Sequence, residues 1–313
     1  MVHVDVLTRE TKRIWFSLPE GQSLQLPSTS TLSMLAQGES LSCNTTACWD
    51  RVYPVSESSM EGRFAIVVAA DRSTWLSGQA AYKLKKGDEV MFRQTVDDLL
   101  RPYLGPPHGF DGASSITMVA GGGKCVVKYM QALHRIFDDT GEDKTSVTLL
   151  YGSSSTDEIL LMEELTVMNK RNAGRLKVVF VVGQSRKTGQ VKGWHVTASE
   201  RTGMPSPSDV PIRDIGWLDQ THVHRYSFPP GGFFAARGLP TPDGWAKSEL
   251  WLCGKPSMVE ELIGADPTGE ADGEPVLGTA AGVRGAQLEA LRPLGEASAL
   301  ANLSFSSSEI YLW

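Results

Sequence analysis

Three consecutive glycines followed by a lysine, Gly121, Gly122, Gly123 and Lys124, form the pattern in this sequence best suited to bind a phosphate group. The apolar run at residues 116–120 ends at this turn, and a pattern typical of an amphipathic helix follows it. A helix that begins after a glycine turn offers backbone N–H groups and the positive end of its dipole to an anion. Glycine triplets also occur in tight turns that bind nothing, so this pattern alone leaves both interpretations open.

Further strand and helix patterns alternate after the glycine turn. Apolar runs at residues 146–151 and 176–182 predict two strands, and residues 157–170 between them have a helical pattern. Such alternation predicts a parallel sheet with both faces covered. Because ligands of these sheets bind at the carboxyl ends of the strands, the glycine turn lies where a nucleotide would be expected. Residues 249–253 and 310–313 predict two more strands.

The first hundred residues have a different pattern, in which short apolar or alternating runs are separated by turn residues. The sequence therefore predicts an N-terminal antiparallel β-barrel at residues 1–100 and a Rossmann-like parallel α/β domain at residues 113–313. Residues 101–112, with several prolines and glycines, are interpreted as the linker. Polar, glycine-rich stretches at about 184–214 and 264–282 are predicted to be insertions.

The composition excludes several classes of protein. The chain has 313 residues with a net charge of −6 and no basic block, which argues against a nucleic-acid or anionic-membrane partner. No run approaches the roughly 18 apolar residues of a membrane-spanning helix. The N-terminus resembles neither a signal peptide nor a transit peptide, so we expect an intracellular protein, cytoplasmic or mitochondrial, without a membrane span.

The cysteines and histidines give no metal site. The four cysteines are too few and too scattered for a disulfide framework, so we expect reduced thiols. His222 and His224 share a segment that supplies no third metal ligand, and we expect both to be solvated. The cysteines are Cys43, Cys48, Cys125 and Cys253.

The order of several motifs resembles the ferredoxin reductase superfamily and, within it, the NADH–cytochrome b5 reductases. Residues 51–56, Arg-Val-Tyr-Pro-Val-Ser, resemble the flavin motif Arg-Pro-Tyr-Thr-Pro-Val-Ser. Residues 118–122 resemble the segment Met-Ile-Ala-Gly-Gly that opens the nucleotide domain. Residues 251–259 resemble the motif Val-Leu-Met-Cys-Gly-Pro-Pro-Pro-Met. The resemblance implies that the barrel is of the flavin-binding type and binds FAD, and that the α/β domain binds NADH.

On the flavin side, the resemblance implies that Arg51 holds the FAD pyrophosphate and that Tyr53 packs on the flavin ring. Pro54 stands where the family has a hydroxyl facing flavin N5, and Ser56 is a candidate to replace it. Leu76 and Ser77 occupy the place of a stretch whose backbone N–H groups contact the pyrophosphate. A strand-end arginine and a half-buried tyrosine without a cofactor role remain the alternative.

On the nucleotide side, the resemblance implies that the glycine turn and the pair Cys253 and Gly254 contact NADH, with Cys253 near the nicotinamide. Tyr53 and Cys253 are thus the candidate catalytic residues, although a buried core cysteine is the alternative for Cys253. Lys124 replaces a family glycine, and either its charge helps to hold a pyrophosphate or its side chain fills the space the phosphates need. Residues 152–155 contain no arginine for a 2′-phosphate, which favours NADH over NADPH.

Two functions are consistent with the sequence. One is an FAD-dependent oxidoreductase that passes electrons from NADH through the flavin to a one-electron acceptor such as a cytochrome b5-like haem protein. The other is a degenerate reductase-like subunit with a structural or assembly role in a larger complex. The altered positions Pro54, Lys124 and Lys255 favour the second function, and the preserved order of motifs favours the first.

Overall fold

The computed structural model describes thirteen ranges of the chain, and it divides the chain into two compact units. One unit comprises Met1–Tyr103 with Val126–Gly141, and the other comprises Leu104–Cys125 with Glu142–Trp313. The predicted linker at 101–112 lies outside the described residues, so the predicted domain boundaries stay a prediction. The described ranges are 2–24, 26, 32–35, 49–56, 60–70, 82–94, 115–138, 145–183, 211–227, 248–255, 258–259, 262 and 310–312.

The first unit contains an antiparallel sheet, as the sequence predicts. Its described strands lie in the order β1-β2-β5-β4-β3-β6, and every pairing is antiparallel. The register places Ile14 opposite Ile66 and Phe16 opposite Phe64, so apolar side chains share one face. The strands are β1 (His3–Val6), β2 (Thr11–Ser17), β3 (Leu32–Leu35), β4 (Trp49–Pro54), β5 (Arg63–Ala69) and β6 (Phe92–Gln94).

Three aromatic rings lie in the core of this unit. The Phe64 ring centroid lies 5.3 Å from that of Phe16 and 5.1 Å from that of Phe92, and Phe16 and Phe92 are 4.9 Å apart. These distances are within the range of favourable stacked and edge-on aromatic pairs. Phe16 and Phe64 are buried together with Ile14, Leu32, Met34 and Val52.

The second unit contains a parallel sheet whose described strands lie in the order β10-β9-β8-β7-β11-β12. The chain moves outward from β7 through β8 and β9 to β10, and β11 then pairs with the other side of β7. The strand order therefore reverses between β7 and β11, and this is the point at which such sheets open a ligand crevice. The strands are β7 (Ser115–Gly121), β8 (Ser146–Ser153), β9 (Leu176–Val182), β10 (Ile212–Ile215), β11 (Ser248–Cys253) and β12 (Ile310–Leu312).

The described helices are α1 (Gly123–Asp138), α2 (Met162–Arg171) and α3 (Gln220–Tyr226). The prediction of one helix over 157–170 is wrong in its first part, because a separate 3₁₀ turn (Thr156–Glu158) precedes α2. Leu161 lies between them with a φ of 57°, a left-handed conformation that interrupts the helical backbone. Ile159, Leu160 and Leu161 are all buried, so the packing of this apolar turn overrides its helical pattern.

The segment at residues 212–226 was not predicted as structured. Strand β10 begins inside the predicted insertion at 184–214 and pairs in parallel with β9, with Ile212 opposite Val179. Residues 184–210 and the predicted insertion at 264–282 lie outside the described residues. Among the described helices, none is long and apolar enough to cross a membrane.

Candidate nucleotide and flavin site

The turn between β7 and α1 depends on glycine at its centre. Gly122 has a φ of 122°, a backbone conformation that other L-residues rarely adopt. A Cβ atom placed on Gly122 would have nothing within 4 Å, so this residue borders open space. The Cys125 N–H donates to the Gly122 carbonyl at 3.1 Å, which tightens the first turn of α1. This turn therefore allows a bulky ligand group to approach the backbone at the start of the helix.

The ends of β7 and β11 approach each other closely at two further glycines. A Cβ atom on Gly121 would lie 2.6 Å from Met258 Sδ and 3.0 Å from the Gly254 Cα, and one on Gly254 would lie 2.9 Å from the same sulphur. Met258 is brought there by a turn in which its N–H donates to the Lys255 carbonyl at 3.0 Å. A side chain at either glycine would therefore have to displace the Met258 side chain, and at Gly121 it would also press on the Gly254 backbone, whether or not these glycines contact a nucleotide.

Cys253 forms a disulfide bond with Cys125, so the expectation of reduced thiols is wrong for this pair. Cys253 ends β11 opposite Ala120, and Cys125 lies in the first turn of α1, which follows β7. Because β7 and β11 are neighbours, the two Cα atoms lie 5.4 Å apart despite a separation of 128 residues in the sequence. Both residues are buried. The predicted role of Cys253 near a nicotinamide stays a prediction, and it requires the thiol rather than the disulfide.

Tyr53 and Ser56 lie near the end of β4 in the first unit. Tyr53 is half-buried, and the Lys128 ammonium lies 5.7 Å from its ring centroid. Ser56 is buried, and its hydroxyl oxygen accepts a hydrogen bond from the Ala65 N–H at 3.0 Å. The Ser56 oxygen thus already supports β5, although the hydroxyl proton keeps its capacity to donate.

Helix α1 contacts the segment that follows β4. The Gln131 amide donates to the Ser56 carbonyl, and His134 Nε2 lies 3.1 Å from the Val55 carbonyl oxygen. Strand β4 includes Arg51, whose side chain lies outside the described residues, as do Leu76 and Ser77. The predicted flavin roles of these three residues stay predictions.

Sequence reasoning missed Trp217, which lies at the carboxyl edge of the parallel sheet. Its side chain is 64% exposed, and a Cβ atom on Gly183, just after β9, would lie 3.3 Å from the Trp217 ring. The next residue, Leu218, packs in the same way against Gly152 at the end of β8. A tryptophan directly after Gly216 was the available signal, because a large aromatic residue beside a strand end often contacts a ligand.

The segment that follows Trp217 contains a buried histidine, so the expectation that His222 is solvated is wrong. His222 Nδ1 lies 2.7 Å from Asp219 Oδ1, and its backbone N–H donates to the same oxygen, which caps α3. Partial burial raises the pKa of Asp219, but the hydrogen bonds from His222 outweigh this and lower it. Tyr226 donates to Asp214 at 2.8 Å, and burial together with this hydrogen bond raises the pKa of Tyr226 to about 12. These contacts hold α3 beside β10, so a structural role accounts for this cluster of polar side chains.

Comparison with known proteins gives several matches. Residues 118–204 match the family described as Oxidoreductase NAD-binding domain. NADH-cytochrome b5 reductase 2 of Candida glabrata is 24% identical over 257 residues, which span 82% of this chain and 70% of that protein. The protein of the same name in Saccharomyces cerevisiae is 30% identical over 221 residues, which span 71% of this chain and 59% of that protein.

A solved structure supports the fold. The cytochrome b5 reductase domain of Ulva prolifera nitrate reductase superposes with a TM-score of 0.53 at 17% identity, covering 83% of this chain and 87% of that chain. The predicted fold class, an antiparallel β domain followed by a Rossmann-like α/β domain, is therefore confirmed.

Proposed function

We propose that this chain, a relative of the NADH–cytochrome b5 reductases, is an FAD-dependent oxidoreductase that passes electrons from NADH to a one-electron acceptor. The relationship itself is supported by the reductases that it matches and by the NAD-binding family that covers residues 118–204. The observation that carries the proposal is the glycine turn at the reversal of strand order, where Gly122 borders open space at the start of α1. This arrangement fits a pyrophosphate, because it combines close approach to the backbone with a helix N-terminus.

The cofactors supply the redox chemistry: NADH carries a hydride, and FAD accepts two electrons and releases them one at a time. The chain's own residues bind and orient. Backbone N–H groups around Gly122 and Gly123 hold the pyrophosphate of NADH, and Gly254 keeps the end of β11 close to β7. The exposed Trp217 ring offers a flat surface to the adenine at the same edge of the sheet.

On the flavin side, Tyr53 provides a half-buried aromatic ring and Arg51 a guanidinium for the FAD pyrophosphate. The Ser56 hydroxyl, which accepts from the Ala65 N–H, keeps a proton that it would donate to a bound flavin in place of the family hydroxyl that Pro54 replaces. Lys124 is partly buried in the first turn of α1, close in sequence to the glycine turn proposed to hold the pyrophosphate.

The acceptor that fits this proposal is a cytochrome b5-type haem protein, because the relatives are named as cytochrome b5 reductases. The relatives give no support to the alternative of a catalytically degenerate subunit in a larger complex. Since the net charge of −6 does not favour an acidic partner over the whole surface, docking requires a local basic patch.

The visible absorbance spectrum of the purified chain, before and after addition of FAD, tests the proposal. We expect flavin bands that bleach when NADH is added without oxygen, followed by reduction of cytochrome b5 in the same cuvette. Tyr53→Ala is expected to lower FAD retention about tenfold, whereas the control Tyr53→Phe keeps the ring and the retention. Trp217→Ala is expected to raise the NADH concentration needed for bleaching. A colourless protein that takes up no FAD would refute the proposal.

A further inference from the structure

Three sulphur atoms lie beside the ends of β7 and β11, where the strand order reverses. Two belong to the Cys125–Cys253 disulfide, and the third is the Met258 thioether, against which Gly121 and Gly254 both pack. Cys125 follows β7 and Cys253 ends β11, and these are the two strands between which the order changes. The disulfide therefore joins the two segments that flank the predicted nucleotide crevice.

The disulfide holds both segments in one position. It fixes the first turn of α1, whose backbone N–H groups face a bound phosphate in the proposed function, to the last residue of β11. The disulfide also fixes Cys253, the residue from which the chain turns toward Lys255. The Lys255 carbonyl accepts the Met258 N–H, and this hydrogen bond keeps the Met258 thioether beside Gly121. In the dithiol state this tether is absent, and Cys253 carries the thiol that its predicted role near a nicotinamide requires.

We propose that Cys125 and Cys253 form a redox-active site that accepts electrons from a small dithiol, and that its disulfide state weakens nucleotide binding at the adjacent crevice. This inference rests on the proposed function for the nucleotide and adds a regulatory thiol chemistry to it. Both residues are almost fully covered, with exposures of 6% for Cys125 and 3% for Cys253. Burial of this kind limits attack to small reductants.

The reaction balances as a thiol–disulfide exchange. A thiolate of the dithiol attacks one sulphur of the Cys125–Cys253 bond, which breaks that bond and forms a mixed disulfide. The second thiolate of the reductant then displaces the protein sulphur and closes a cyclic disulfide. Two electrons pass from the dithiol to the protein, and the two protons of the dithiol end on the Cys125 and Cys253 thiols.

The thermodynamic consequence is reciprocal. If reduction strengthens nucleotide binding by about tenfold, the nucleotide must favour the dithiol by the same factor. A tenfold change in a two-electron equilibrium corresponds to about 30 mV in the midpoint potential. This shift can be measured without any turnover, and NAD⁺ is a suitable probe because it does not reduce the flavin.

The experiment uses the full chain with Cys43→Ser and Cys48→Ser, so that only the proposed pair reacts with a thiol reagent. The protein is equilibrated in dithiothreitol redox buffers with and without NAD⁺, denatured, labelled with N-ethylmaleimide and weighed by mass spectrometry. We expect the protein to change from no label to two labels as the buffer becomes more reducing. NAD⁺ is expected to shift the midpoint potential of this change by about 30 mV in favour of the dithiol. A pair that carries two labels in every buffer, or a midpoint that NAD⁺ leaves unchanged, would overturn the inference.

Cys125→Ser separates this inference from the proposed function, because it cannot form the disulfide. Anaerobic bleaching by NADH in this variant is expected not to respond to dithiothreitol, whereas the parent protein bleaches at about tenfold lower NADH after reduction. If Cys125→Ser bleaches with NADH while NAD⁺ fails to move the parent's midpoint, only the redox inference is wrong. If neither protein bleaches in either redox state, the proposed function fails and the inference fails with it.

Discussion

In the unit with the antiparallel sheet the candidate residues Tyr53 and Ser56 present side chains, whereas at the edge of the parallel sheet Gly121, Gly122 and Gly254 present only backbone. The Ser56 hydroxyl is fixed by its bond to the Ala65 N–H, and Tyr53 contributes a ring of defined size. At the parallel edge, by contrast, the strand order and the turn geometry form the candidate site. Sites built from backbone tolerate substitutions that leave their space open, and sites built from side chains do not.

The departures from the family motifs are therefore expected to differ in their effect on cofactor binding. Pro54 stands where the family motif has a hydroxyl, so the proposed flavin contact depends on another side chain, for which Ser56 is the candidate. Lys124 keeps the backbone N–H groups of the first turn of α1, so its effect depends on where its side chain lies. We therefore expect that removing side-chain atoms lowers stability most in the first unit. Adding atoms is expected to lower stability at the edge of the parallel sheet in the second unit.

The largest expected effect is a deletion in the antiparallel unit. Phe64→Ala removes a buried ring that packs on Phe16 and Phe92, and we expect it to lower the free energy of unfolding by about 3–5 kcal/mol. Denaturant unfolding of the variant measures this loss, and Phe64→Leu, which keeps part of the volume, should lose less. Equal losses for the two substitutions would contradict the view that the aromatic packing specifies this core.

A smaller loss of stability is expected from adding one methyl group at the edge of the parallel sheet. The Cβ atom of Gly121→Ala would lie 2.6 Å from Met258 Sδ and 3.0 Å from the Gly254 Cα, and we expect a cost of about 1–3 kcal/mol. Gly174→Ala measures the separate cost of backbone strain, because its φ is 89° and its Cβ atom would meet nothing within 4 Å, whereas Gly121 has no positive φ. If Gly121→Ala keeps the full free energy of unfolding and is bleached by NADH like the parent protein, the view that added atoms disrupt this edge is wrong.

The smallest expected effects on stability come from the ionisation of Asp5 in the first unit and Glu249 in the second. These two effects have opposite signs. Partial burial raises the pKa of Asp5, but hydrogen bonds from Arg13 and Trp15 outweigh this and hold it below its usual range. Burial raises the pKa of Glu249, and its hydrogen bond from Trp251 only partly offsets this. Ionised Asp5 therefore stabilises the fold above its unfolded pKa of about 3.9, and this stability is lost as the pH falls through the folded pKa.

Glu249 behaves in the reverse sense, because its stabilising form is the protonated one. Its contribution is present below the unfolded pKa of about 4.3 and is lost as the pH rises through the raised folded pKa. At neutral pH, Asp5→Asn should lower the melting temperature and Glu249→Gln should raise it, each by less than about 1 kcal/mol of stability. Thermal melts between about pH 3 and pH 7 test this, and shifts of the same sign would contradict it.

The elements of this fold could be predicted to different extents. Strands β5, β7, β8, β9 and β11 follow from their apolar runs, because burial on both faces of a sheet favours that pattern, and β2 follows from the shorter run at 14–16. Strand β10 was missed, since its four residues include Arg213 and Asp214 and become a strand only by pairing with β9. The helix predicted over 157–170 was too long because the packing of Leu160 and Leu161 decided the backbone there.

The sequence by itself determined the two classes of sheet, the position of the glycine turn and the resemblance to reductases, because these depend on local patterns of residue type. Only the tertiary structure decided that β11 pairs with β7, that Cys125 meets Cys253 across 128 residues, and that His222 is buried. Strand order and side-chain partners are long-range properties, and no local pattern of apolar and polar residues encodes which strand ends become neighbours.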